Sequence, residues 1–190
     1  MPVTNRFFWI VASILLAIIV HVSVVLFAAR VKMPARFDIL GKAGSGGFQV
    51  FTPDMLQRFD RRPLKHMIYG GCLVAPGKGR VELKAPIEPG YWSVTLYSAG
   101  GDVLYTLNDL HAGVKAMTIV FQLKDDDSAD AIQAPRLRNG KLLVPLDVER
   151  ALAVTQAYVA HPGERRRKLE SLSRTTCTAY PTPLMAPKLN

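Results

Sequence analysis

The chain predicts a mainly β fold, an antiparallel sandwich or jelly-roll-like sheet pair, with one N-terminal transmembrane helix and one short C-terminal helix. Three observations carry this. Short segments of alternating apolar and polar residues recur between glycine and proline turns, the pattern of half-buried strands. Phe7 to Ala29 is an apolar run without a formal charge, about as long as a helix needs to cross roughly 30 Å of hydrocarbon. Glu164 to Arg174 reads as a helix, with an acid near its positive end and Leu169 and Leu172 on one side.

With 190 residues and 49% hydrophobic content, the chain has material for one folded domain and an attachment. The expected organisation is a tail over 1–6, a span over 7–29, a basic tether over 30–46, a β domain over 47–177 with its helix at about 163–174, and a proline-rich, poorly ordered tail over 178–190. The net charge of +9 asks for an anionic neighbour. Basic residues dominate from Arg30 to Lys84 and from Arg136 onward, whereas Glu88, Asp102, Asp109 and Asp125 to Asp127 make the middle acidic. No element gathers basic and aromatic residues as a nucleic-acid binder would, so no nucleic-acid partner is expected.

The span reads as an uncleaved anchor, because its apolar run exceeds the ~7–15 residues of a signal-peptide core. Trp9 suits the leading interface, and Arg30 and Lys32 close the other end. Ser13, Ala17 and His21 recur every four residues and share a helix face, a small and hydrogen-bonding stripe that lets a second helix approach. The bland alternative is a neutral His21 reaching water or a carbonyl. One histidine on one span is incomplete as a metal or haem site.

Beyond the span, Lys42 to Gly47 has glycines but not the Gly-Lys-Ser/Thr ending of a phosphate loop, and reads as a linker. Phe48 to Thr52 is a first short strand. Pro53 to Pro63 follows as a loop whose Arg58, Arg61 and Arg62 form a solvated or headgroup-facing surface. His66 to Val74 and Gly79 to Lys84 are strands, the second with Val81 and Leu83 on one face and Arg80, Glu82 and Lys84 on the wet one. Gly90 to Ser98 and Asp102 to Asp109 form a hairpin closed by Ala99-Gly100-Gly101, with Trp92, Val94 and Leu96 inward and a mixed row outward. Ala116 to Leu123 is apolar enough to be central. Asp125 to Asp130 lacks the glycine and closing glutamate of a calcium loop. Lys141 to Leu146 is a strand, and Ala151 to Val159 another, the latter ambiguous with helix through its alanines. Arg165 to Lys168 reads as a solvated face, or as a contact to anionic lipid headgroups.

Tyr105, Asn108, Asp109 and His111 are the candidate polar site, at the end of the hairpin, although turn chemistry explains Asn108 and Asp109 equally well. A nucleophile elbow, paired metal ligands, a phosphate loop and a dinucleotide fingerprint are all missing. No catalytic residue, cofactor or metal is therefore expected. The leading expectation is a non-enzymatic protein that acts through a protein partner. The alternatives are a membrane-tethered lipid or glycan binding module, with Trp92 and the tyrosines as platforms, and an enzyme of unidentified class. Cys72 and Cys177 fit either one disulfide in an oxidising compartment or two unrelated thiols. The basic residues after the span favour a cytoplasmic domain, though large domains translocate largely regardless of such charges.

The span with its histidine, the early-strand cysteine, Trp92 to Tyr97, Tyr105 to Asp109, the late helix and the terminal cysteine together resemble one group over nearly the whole chain. It is similar to the small single-span membrane proteins of alphaproteobacteria gathered as domain-of-unknown-function family twelve fifty-four, related to family twelve fourteen. The hairpin is the specific part; His21, Cys72 and Cys177 match in position and type. The resemblance implies a bacterial inner membrane, a heteromeric partner of similar single-span layout, a periplasmic C-terminal domain and a bond between Cys72 and Cys177.

Overall fold

The structure, a computed structural model, describes residues 3–41, 47–59, 63–77, 79–109, 116–124 and 134–180. Helix α1 (Val3–Gly41) is followed by β1 (Gln49–Val50), α2 (Pro53–Phe59), β2 (Met67–Val74), β3 (Arg80–Pro86), β4 (Trp92–Ser98), β5 (Val103–Asn108), β6 (Ala116–Leu123), β7 (Arg136–Arg138), β8 (Lys141–Leu146), β9 (Ala151–Tyr158), α3 (Arg165–Ser173) and β10 (Thr176–Tyr180). The strands form two five-stranded sheets, in the orders β1-β2-β9-β4-β5 and β10-β3-β6-β8-β7. All pairings are antiparallel except β6 with β8, which is parallel. The fold is thus the mainly β sheet pair expected, with an apolar N-terminal helix and a short C-terminal one.

The inner faces of the two sheets share one core. Trp92, Val94 and Leu96 of β4 meet Val81 and Leu83 of β3 and Ile119 and Phe121 of β6. β9 lies between β2 and β4, and its inward residues Ala151, Ala153 and Ala157 are small. Their helix propensity is overridden because a central strand in a two-sided core supplies ladder bonds and burial on both flanks. Cys72 on β2 and Cys177 on β10 meet between the sheets, with Cα atoms 6.5 Å apart and sulfurs at disulfide distance.

Several expectations about surfaces and boundaries change. The helix does not end near Ala29 but runs to Gly41, through most of the segment read as a tether. Phe37 and Leu40 are 5% and 1% exposed, packed with Phe51, Leu73, Leu152 and Val154 on the outer face of the first sheet. The Pro53–Pro63 loop is in part a helix, α2, whose Met55 and Leu56 join this second cluster. The outward row of β4 is not wet either: Ser93 and Thr95 are buried, and Ser93 Oγ accepts from the Tyr91 hydroxyl at 3.2 Å. Backbone contact here is close enough to require glycine, since a Cβ at Gly71 would stand 2.7 Å from the Ala153 carbonyl oxygen. At the far end of the chain, Thr178 to Tyr180 are not tail but the second half of β10, paired with β3 from Glu82 to Arg80. Sequence reading also missed β7. Pro145 is tolerated in β8 because β7 pairs only with residues 141 to 143, so no neighbour on that side needs its missing N–H.

Glu82 also departs from the wet face assigned to it. Only 3% exposed, it is closed over by Arg80, whose Nε donates to Oε1 at 3.1 Å, and by Lys141, whose Nζ donates at 3.1 and 3.3 Å. Burial alone would raise the carboxyl's pKa, but the hydrogen bonds from Lys141 and Arg80 and their charges outweigh it, and the pKa lies below its ordinary value. Because the folded pKa is below the unfolded one, the pair's stabilisation is complete above about pH 4.3 and fades as pH falls through the folded value. Urea midpoints of the wild type should drop in that acid window, and Glu82→Gln should flatten this part of the drop while costing about 1–3 kcal/mol at pH 7. An acid limb equally steep in both proteins would remove Glu82 from the account.

Candidate functional site

Two regions bear on function, the free face of α1 and the hairpin edge of the first sheet. A window of α1, Arg6–Phe27, is apolar enough to cross a membrane, and none of it is buried within the protein. Ser13, Ala17 and His21 line one open groove along it, with Leu16, Val20 and Val24. Ser13 Oγ donates to the Trp9 carbonyl at 2.9 Å, and Ser23 Oγ to the Ile19 carbonyl at 2.8 Å, so both hydroxyls are satisfied within the helix. Ser13, Ala17 and His21 are all exposed.

The Arg150 guanidinium, at the start of β9, lies 5.9 Å from the Phe37 ring centroid. Leu40, about one turn on, reaches Gly71 in mid-β2. The last turns of α1 therefore lie on the outer face of the first sheet, over β2 and β9. α3 closes one end of the sandwich: Lys168, Ser171 and Leu172 are buried there, beside Pro86, Trp92 and Ala157. Lys168 is not part of a solvated basic face as expected, because its Nζ turns inward to the Pro89 carbonyl at 2.7 Å. Arg165, Arg166 and Arg167 are exposed, with Arg166 bonded to Glu170 at 3.0 Å and Arg167 3.8 Å from both Glu88 and Glu164.

The hairpin is built by its turn. Ser98 Oγ accepts the N–H groups of Gly100 and Asp102, each at 3.1 Å, and stands 3.2 Å from Asp102 Oδ2, to which it donates. Gly101 takes a φ of 94°, which a residue with a Cβ rarely adopts. Of the candidate polar site, Tyr105 and Asn108 lie three residues apart on one strand and so project from opposite faces. Tyr105 pairs with Leu96 and packs on the main core, and burial raises its phenol pKa. Asn108 pairs with Ser93 on the other face. Asp109 is half-buried at the strand end, and His111 lies outside the described residues. So do Arg61, Arg62 and the Asp125 to Asp130 segment. Trp92 is a core residue, buried under α3 rather than offered as a platform, whereas Tyr91 is exposed and donates to Ser93 Oγ at 3.2 Å.

No family model and no curated protein sequence matches the chain. Among solved structures it is similar to the VPA0106 protein from Vibrio parahaemolyticus, with a TM-score of 0.58 at 9% identity, over 86% of this chain and 40% of that one. That similarity is one of fold. The chain spans well under half the length of that neighbour.

Proposed function

We propose that the chain is a single-pass protein of a bacterial inner membrane whose β sandwich, on the periplasmic side, works by binding another protein rather than by catalysis. The observation that carries this reading is the continuity of α1, which holds an apolar stretch of membrane length and, in the same helix, Phe37 and Leu40 packed on the sheet. A sandwich fixed to its anchor presents its surfaces at a set height and orientation, which suits recognition of a partner held in the same bilayer. The exposed Ser13, Ala17 and His21 stripe offers that partner a helix-packing face. Sulfurs at disulfide distance favour the oxidising side of the membrane, against the weight of Arg30, Lys32, Arg36 and Lys42 behind the span.

The test is a photo-crosslinking amino acid at position 17, compared with one at Ile19, about 200° around the helix from it. Irradiated membranes should give one stoichiometric protein adduct from position 17 and little from position 19. Equal adducts from both positions, or lipid adducts alone, would defeat the reading.

A further inference from the structure

We propose that β5 is the docking edge for an extended strand from a different polypeptide, one with apolar residues in its middle and lysine or arginine at its ends. This rests on the reading that the protein acts through a protein partner, and it names the surface and the chemistry of the contact.

An edge strand shows a row of backbone N–H and C=O groups to any passing chain, and folded proteins blunt such rows. β1 has only two residues and packs against α3. β7 has three, two of them the exposed Arg136 and Arg138. β10 is held at Cys177, and its exposed residues are the small or polar Thr176, Thr178 and Ala179. β5 has none of these protections; its one irregularity is a register shift against β4 between Leu96 and Tyr97, which leaves Leu104 without a partner on β4. It runs Val-Leu-Tyr-Thr-Leu-Asn without a charge or a proline, with Val103 60% and Leu104 36% exposed. Among the described residues, β4 is its one strand neighbour.

Charge narrows the occupant. No lysine or arginine occurs between Lys84 and Lys115, although the chain carries +9 overall. Asp102 precedes β5 and Asp109 follows it, and neither carboxylate is in an ion pair among the described residues. An incoming strand with cations at both ends would meet an acid at each end of β5.

A second copy of this chain does not meet these conditions. Antiparallel pairing of β5 with its own copy would bring Asp102 of one beside Asp109 of the other, and like charges in that relation repel. The strand therefore comes from a different protein, adding to the sheet by main-chain bonds and reading the edge by alternate side chains.

The experiment uses the full chain in phosphatidylcholine nanodiscs and three labelled peptides. One is Lys-Lys-Val-Thr-Val-Thr-Val-Lys-Lys, the second has glutamate in place of each lysine, and the third keeps the lysines but has proline for the central valine. The first should bind, measured by fluorescence anisotropy, at least about tenfold more tightly than the second. The third should not bind, because proline interrupts the new ladder. Amide hydrogen exchange over residues 103–107 should slow about tenfold with the first peptide, and Asp109→Asn should narrow the gap between the first two. Equal binding of the lysine and glutamate peptides, or protection at β7 or β10 instead of β5, would overturn the proposal. So would β5 protection that grows with protein concentration alone, which would make a second copy the occupant. A protein captured through position 17 that leaves β5 amides unprotected in the complex would overturn this inference and leave the proposed function standing.

Discussion

Cys72→Ser and Cys177→Ser should each lower the stability of the sandwich by about 4–5 kcal/mol, and the double variant should be no worse than either single one. The bond would join residues 105 apart, and closing a loop of that length removes conformational freedom from the unfolded chain on that scale. Non-additivity is the decisive part. Two variants that remove the same bond share one loss, whereas two separate buried thiols would give smaller losses that add. Guanidinium unfolding of the full chain in detergent, followed by the buried Trp92 in a Trp9→Phe background, reads the midpoints. The bond also ties β10 to the centre of the sandwich, and α3 leads directly into β10, so hydrogen exchange in α3 and β10 should accelerate more than in β6. Small, additive losses would show that the two sulfurs are near one another without being bonded. Thiol trapping in intact cells tests the compartment separately. Two free thiols reachable only after the inner membrane is opened would reject both the bond and the periplasmic side.

Leu40→Ala should cost about 2–5 kcal/mol, as expected for deleting a buried leucine from a site that cannot fully collapse. Leu40 lies between Gly71, Phe51 and the outward residues of β9, where α1 and the sheet leave it 1% exposed. Leu26→Ala is the control, since Leu26 sits on the same helix but touches no part of the sandwich, and it should change the sandwich midpoint by less than about 0.5 kcal/mol. Phe37→Ala should fall with Leu40→Ala because both belong to the same cluster. Indistinguishable midpoints for Leu40→Ala and Leu26→Ala would mean that the segment after the span is a tether after all, and the fixed presentation on which the proposed function rests would be lost.

The class of the fold and most of its strands are legible in the residues alone, because alternation with a period of two is a local property. Trp92, Val94 and Leu96 show it within one strand, and Gly101 marks the turn without knowledge of anything distant. The apolar composition of Phe7 to Ala29 is local in the same sense. Where α1 ends is not: Arg30, Lys32 and Arg36 look like a solvated tether until a sheet is present for Phe37 and Leu40 to cover. The burial of Ser93, Thr95 and Glu82 was hidden for the same reason. Polar residues on an outward row are wet by default, and only neighbours brought by the fold, such as the two cations that reach Glu82 from the same strand and from Lys141 on another, can bury them. Lys168 shows the converse, a basic run whose last member turns inward because the Pro89 carbonyl waits at the open end of the sandwich. For the candidate site, the sequence grouped Tyr105 with Asn108 by proximity along the chain, but an odd separation on a strand sends side chains to opposite faces. Pairing alone decides which strand is left at the edge, and β5, the most legible strand in the sequence, became a surface of interest only once the order of the sheet was known.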